Sequence, residues 1–235
     1  MNEYEYDDAY WENLFNIMYE NGISMHHVSS EYESFNKYCK ILNNFYKKYP
    51  QKKIYHIVKL AEPNFEINKF DSNKMKKKIF FYKDQLMTDK IHTVQWMWRG
   101  DLKDDDARIK SFLKSSDQIA DYVNQAKNKN DIENFYFFPY TFEFAKNCIA
   151  KDYIDGIIVY RNPMEKAYDN FIQKYMGKDK KCVTIRPFNS GKVFVKGFNS
   201  KDLISYAFNL KSIIGTIISI SKVDYLLDNK FIIHE

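Results

Sequence analysis

The run IHTVQWMW, residues 91–98, constrains the chain more than any other stretch. It groups β-branched and aromatic side chains and is broken at Gly100. Such a run fits a pleated, buried strand, and a glycine after it supplies the stop. Similar runs recur in IYHIVKL (54–60), closed by Pro63, and in DGIIVY (155–160), ended before Asn162-Pro163. A chain with several such runs has to build a sheet and cover it. The covering material is present, because 45% of the 235 residues are hydrophobic and 17% are aromatic. That much aromatic surface cannot be left in water, which excludes extended disorder.

Helices are marked by a different period. Trp11, Leu14, Phe15 and Met18 fall at i, i+3, i+4 and i+7, so residues 8–21 read as an amphipathic helix ended by Gly22. Ser30 starts a second helix that runs to about Lys48 before Pro50. DDDARIKSFLKSSDQIADYVNQA is a third, with its acids at the N-terminal end where the helix dipole favours them and Asp101 or Asp104 as the cap. FEINKF (65–70) alternates like a short strand, and KKKIFFYKDQ after it is a helix or a strand. FYFFPYTFEFAKNCIA runs from a strand through Pro139 into a helix, and MEKAYDNFIQKYM is a further helix. CVTIRPF and KVFVKGF read as two strands joined at Asn189-Ser190-Gly191, a hairpin signal. The tail adds a helix at 200–209, a strand in IIGTIISIS, a short helix and the strand FIIHE. The expectation is an α+β fold in a single compact unit. An N-terminal helical region (1–50) packs on a mixed, mostly antiparallel sheet body (51–235), with 198–235 as a candidate C-terminal appendage.

Charge and composition exclude several classes. The net charge of +5 comes with 31 acidic groups, too balanced for a nucleic-acid footprint by itself. Lysines cluster at Lys74, Lys76, Lys77 and Lys78 and at Lys178, Lys180 and Lys181, as solvated faces or as a contact for a host protein or nucleic acid. Rich Lys, Asn, Ile, Tyr and Phe with little Arg and Gly is the product of AT-rich codons, as in a phage, a virus or a low-GC bacterium. Cys39, Cys148 and Cys182 lie far apart, and no Cys/His spacing suggests zinc, so no metal is expected. The histidines, His26-His27, His56, His92 and His234, are scattered and read as packed or surface residues. No apolar stretch is long enough to span a bilayer, and the acidic N-terminus is no signal peptide. A soluble, cytoplasmic protein without membrane contact is expected, in the host cytoplasm if viral. Phosphate-loop, dinucleotide-fingerprint, zinc-protease and serine-elbow motifs are all absent.

Arginine is the rare cation. Arg99, Arg108, Arg161 and Arg186 are the only four among 36 Lys+Arg. Where lysine is the default, an arginine points to a need for its planar, bidentate fork. Trp98-Arg99-Gly100 at a strand end, followed by Tyr140-Thr141 ahead of a helix containing Ala145, resembles the toxin-type ADP-ribosyltransferases over residues 91–197. That resemblance implies an NAD ligand, with Arg99 on its phosphates and Tyr140 and Thr141 lining the pocket. The family's E-x-E glutamate motif is missing, since Lys180-Lys181-Cys182 stands there, which implies an impaired site. A second register places Arg161, Ser200 and Glu235 in the same roles. The competing expectation is a non-enzymatic viral, phage or bacterial factor that binds nucleic acid or a host protein. In the structural reading of Arg99, the side chain ends a strand and pairs with Asp101 or Asp104.

Overall fold

A computed structural model describes residues 6–228 except Glu66, Asp101 and Lys178. In chain order the elements are α1 (Asp8–Glu20), β1 (Met25–Val28), α2 (Phe35–Lys48), β2 (Tyr55–Ala61), α3 (Ser72–Gln85), β3 (Ile91–Met97), α4 (Asp105–Lys114) and α5 (Ser116–Asn128). Then follow β4 (Ile132–Phe137), α6 (Phe142–Ile149), β5 (Gly156–Tyr160), α7 (Asp169–Tyr175), β6 (Lys181–Ile185), α8 (Ser200–Phe208), β7 (Ile213–Ile217) and α9 (Val223–Leu227). The seven strands form one sheet in the order β1-β2-β3-β4-β5-β6-β7, and every neighbouring pair is parallel.

This corrects the mostly antiparallel sheet expected from the sequence. Parallel neighbours need a crossover, and at least one helix stands between each consecutive pair of strands. The hairpin expected at Asn189-Ser190-Gly191 does not form. Those three residues all have positive φ, and the chain continues into short 3-10 turns rather than a strand. The apolar run KVFVKGF is laid over the surface, with Val195 86% exposed. FEINKF carries no strand in its described residues, and the long helix expected from Asp104 is divided at Ser115 into α4 and α5. FIIHE lies outside the described residues.

Side chains alternate across the strands and make two apolar layers. Outward-facing Val58, Val94, Trp96, Phe135, Phe137, Ile157 and Cys182 join the helices in the larger core. Trp96 and Trp98, both fully buried, sit among Phe112, Phe135, Phe137 and Phe144. The indole N–H of Trp96 donates to the Glu62 carbonyl at 2.7 Å, which satisfies its polar end. Inward-facing Ile57, Ala61, Met97, Tyr136, Phe138, Ile158 and Val183 form a second cluster inside the curved sheet. Gly156 opens β5 where a Cβ would lie 2.2 Å from the Lys181 carbonyl oxygen, so the approach of β6 requires a glycine there.

Helix starts are capped by short polar side chains. Asp7, Asp71, Asp104, Thr141 and Asn199 each accept a backbone N–H from the first turn of the helix that follows. Asp104 is one of the two caps expected for its helix. With all strands parallel, their C-terminal ends open on one face, and the loops after β1 to β6 meet there. In parallel-barrel folds that face carries the chemistry.

Candidate active site

The mouth is a ring of polar side chains, each at or just past a strand end. Glu31 and Tyr32 follow β1, Lys59 lies near the end of β2, Arg99 follows β3 and Tyr140 follows β4. Tyr160 ends β5 and Arg186 follows β6. Beneath them His27 Nε2 and Gln95 Oε1 meet at 2.8 Å across the interior. Burial holds the His27 imidazole down to about 4, with the Lys59 charge acting the same way and the Gln95 hydrogen bond opposing, so the ring is neutral near pH 7.

Arg99 is the best-fixed group of the ring. Its guanidinium donates to both oxygens of Glu31, at 2.5 and 2.7 Å, and its Nε donates to the Tyr140 hydroxyl at 3.3 Å. The Phe65 ring stands 5.1 Å from it, and its own backbone N–H donates to the Pro63 carbonyl at 3.1 Å. Only 8% of Arg99 is exposed. Burial works against its charge, but the bonds to Glu31 and Tyr140 outweigh this and hold the group above the usual arginine value. Glu31 also takes an ion pair from Lys59 at 3.0 Å. The Arg99 hydrogen bonds, aided by Lys59 and opposed by partial burial, pull its carboxyl down to about 2. The partner of Arg99 is therefore Glu31, 68 positions away in sequence, rather than Asp104; Asp101 lies outside the described residues.

Tyr32 stands beside this cluster. The Lys59 ammonium lies 4.8 Å from the centre of its ring, and the His27 ring is 5.9 Å away. Burial, followed by the Glu31 charge, pushes its phenol up to about 12. The hydroxyl therefore keeps its proton at neutral pH and can act as a donor. On the far side, the Arg186 guanidinium stacks on Tyr160 at 4.3 Å, and among the described residues no carboxylate pairs with it. Tyr160 packs edge-on against Phe138, which packs edge-on against Tyr140.

The structure brings Arg99 and Tyr140 together, as the sequence suggested. Thr141 lies next to Tyr140 but serves α6: its hydroxyl donates to Asp105 at 2.7 Å and accepts from the Phe144 N–H. Arg161, of the second register, is buried under α8, with Nε donating to Asp169 at 2.8 Å and further bonds to Asn209 and the Tyr206 carbonyl. Ser200 is the first residue of α8, and Glu235 lies outside the described residues. The sequence reading missed Glu31, Tyr32 and Lys59. One signal pointed to Lys59 alone: a lone lysine inside the apolar strand IVKLA has to reach a partner. Among the described residues, no group of three or more His, Cys, Asp or Glu is placed to hold a metal ion.

No family model matches the chain, and no curated protein does. Solved structures do. A Pseudomonas aeruginosa protein described as an aldo-keto reductase superposes with TM-score 0.74 at 16% identity, over 99% of this chain and 83% of that one. The fold is that of the aldo-keto reductases. The holo form of a Bacillus halodurans aldo-keto reductase matches with TM-score 0.67 at 14% identity, over 97% and 83% of the two chains. A Klebsiella pneumoniae aldo-keto reductase in complex with NADP and acetate matches with TM-score 0.66 at 9% identity, over 100% and 83%.

The aldo-keto reductase fold overturns the ADP-ribosyltransferase resemblance. That resemblance rested on short strand-end motifs around Arg99 and Tyr140, which a parallel barrel supplies as readily as the sheet it was compared with. The viral or phage factor binding nucleic acid is likewise unsupported, since the matched structures are bacterial reductases. No helix among the described residues is long and apolar enough to cross a membrane.

Proposed function

We propose that this chain is an oxidoreductase that exchanges hydride between a nicotinamide dinucleotide and a carbonyl or alcohol substrate at the mouth of the barrel. The observation that carries the reading is Tyr32 with the Lys59 ammonium 4.8 Å from its ring, at the C-terminal ends of β1 and β2. Reducing a carbonyl needs a proton for the oxygen that becomes an alkoxide, and a protonated phenol beside a fixed cation supplies it. Tyr32 holds that proton at neutral pH. Lys59 offsets the charge left on the phenolate oxygen.

The residues present fit a dinucleotide. Arg186 offers its fork to a phosphate, with no acid among the described residues in competition, and the half-buried Tyr160 and Tyr140, packed against the buried Phe138, offer ring edges to a base. When bound, the dinucleotide supplies the hydride. Two of the matched Klebsiella pneumoniae structures hold NADP or NADPH, which favours this cofactor class.

The test follows loss of NADPH and NADH absorbance with a panel of aldehydes and ketones. Tyr32→Phe, which keeps the ring and removes the proton, is expected to lower kcat by roughly 10²-fold or more with little change in melting temperature. Undiminished turnover in Tyr32→Phe refutes the assignment of the donor. No oxidation of either dinucleotide with any carbonyl compound refutes the oxidoreductase reading.

A further inference from the structure

Arg99 is anchored without help from Glu31. Its backbone N–H is fixed to Pro63, its Nε to Tyr140, one amino group lies 3.5 Å from Asn64 Oδ1 and the other 3.7 Å from the Met97 sulfur. Its guanidinium stays aimed at the same point whether or not Glu31 is there. Glu31 differs. Its side chain is 40% exposed, on a loop whose main chain is pinned separately by Tyr82 to Ser30 and by Ser29 to the Glu31 N–H. The carboxylate can rotate out to water while the loop stays put. Arg99 would then be a nearly buried cation with its fork open, which strongly favours a replacement anion. A cavity of about 260 Å³ opens against Glu31 and Asn64, two of the groups that Arg99 bonds, and is walled by Leu60, Phe81 and Tyr82 and rimmed by the cations Lys59 and Lys77.

We infer that Arg99 is the receiving site for a carboxylate group on the substrate, and that Glu31 is an internal occupant which the substrate displaces. The site selects carbonyl compounds or alcohols that carry a carboxylate on an apolar body, the oxo and hydroxy acids. This assignment of substrate class rests on the oxidoreductase reading; the carboxylate site itself does not. The fork takes both oxygens of the ligand as it now takes both of Glu31. Lys59, shared between Glu31 and Tyr32, puts the bound acid next to the proton donor. Glu31 makes the site self-closing, so a neutral carbonyl compound lacks the group needed to open it.

The test is calorimetric titration of the intact chain with benzoate and with benzamide, its neutral counterpart, at low salt and without dinucleotide. If Glu31 fills the fork most of the time, apparent affinity falls by the fraction of time it is open. Glu31→Gln is therefore expected to bind benzoate about tenfold or more tighter than the unmodified chain. Arg99→Lys, which keeps the charge and loses the fork, is expected to bind it about tenfold more weakly, and benzamide is expected not to bind. Equal affinity in Glu31→Gln and the unmodified chain, undiminished affinity in Arg99→Lys, or benzamide binding as well as benzoate, would each overturn the site. In turnover, 4-carboxybenzaldehyde is expected to exceed benzaldehyde about tenfold in kcat/KM, and equal values overturn the substrate class. Absence of all turnover counts against the oxidoreductase reading alone, because the titration judges the site without it.

Discussion

Acid should unfold this protein through two buried histidines that share one tyrosine. His26 on β1 and His56 on β2 both reach the Tyr38 hydroxyl from α2, each at 2.9 Å. His26 Nε2 faces the Ile23 carbonyl at 3.3 Å and so carries its hydrogen there. His26 Nδ1 then accepts from the Tyr38 O–H, and the Tyr38 oxygen accepts from His56 Nε2–H. This neutral chain is complete, and a proton on His26 breaks it by setting two donors against each other. Burial, opposed for His26 by the Ile23 hydrogen bond, holds that ring down to about 4. Burial together with the His26 charge holds His56 down to about 3. Both folded values are depressed, so the stabilisation is whole above the unfolded value of 6.5 and is lost as pH falls towards the folded values. At 1.36 kcal/mol per unit, a fall to about pH 4.5 removes about 2.7 kcal/mol per ring and about 5 for the pair. A domain has roughly 5–15 kcal/mol in all. Urea unfolding followed by tryptophan fluorescence at about pH 7, 6 and 5 should show stability falling with a slope of at least two protons below the histidine range. His56→Gln, which keeps a donor towards Tyr38, should lower that slope by about one proton. An unchanged urea midpoint from pH 7 to 5, or a His56→Gln slope equal to the original, would refute the argument.

Two further outcomes follow from packing. Arg108 is fully buried and donates to Asp105 at 2.7 Å and to the Trp98 carbonyl at 3.1 Å, so Asp105→Ala, which removes one charge-assisted bond, should cost about 1.5–3 kcal/mol, read as a fall in melting temperature of several degrees. Gly156→Ala forces a methyl against the Lys181 carbonyl and should cost about 1–3 kcal/mol in urea unfolding, whereas Gly177→Ala, with open space around it, should cost far less.

The strongest strands were legible. GIIVY is a continuous apolar run, and VQWM is broken only by Gln95, because parallel strands here are covered on both faces, by helices outside and by the second cluster within. The hairpin reading at Gly191 failed because turn residues alone cannot tell a hairpin from a run of 3-10 turns. β1 was hidden: MHHV has four residues, and half of them are histidines whose side-chain partners come from α2 and β3. KVFVKGF misled in the opposite direction, since Phe194, Val195 and Phe198 are exposed and only Val193 is buried. At the site, the scarcity of arginine pointed to Arg99; its contact with Tyr140 bridges two strand ends, and the sequence linked the two only through the resemblance that the fold overturns. Tyr32 and Lys59 were lost among 19 tyrosines and a lysine-rich background. Their meeting depends on β1 and β2 lying side by side in register, which no local pattern encodes.

The sheet follows chain order strictly, and this has a consequence for how the molecule assembles and where it gives way. Every strand pairs with the one made just before it, so each unit can dock as it emerges, without waiting for distant partners. One junction is different. Among the described residues β1 and β7 do not pair, and the ends of the row are held instead by α1 against α9 and by the Tyr10 hydroxyl on the Ser221 carbonyl at 3.0 Å, 211 positions apart. Among the described residues this seam is held by side-chain contact and not by strand pairing. Amide exchange in α9 should therefore be fast, and in β3, at the centre of the sheet, slow.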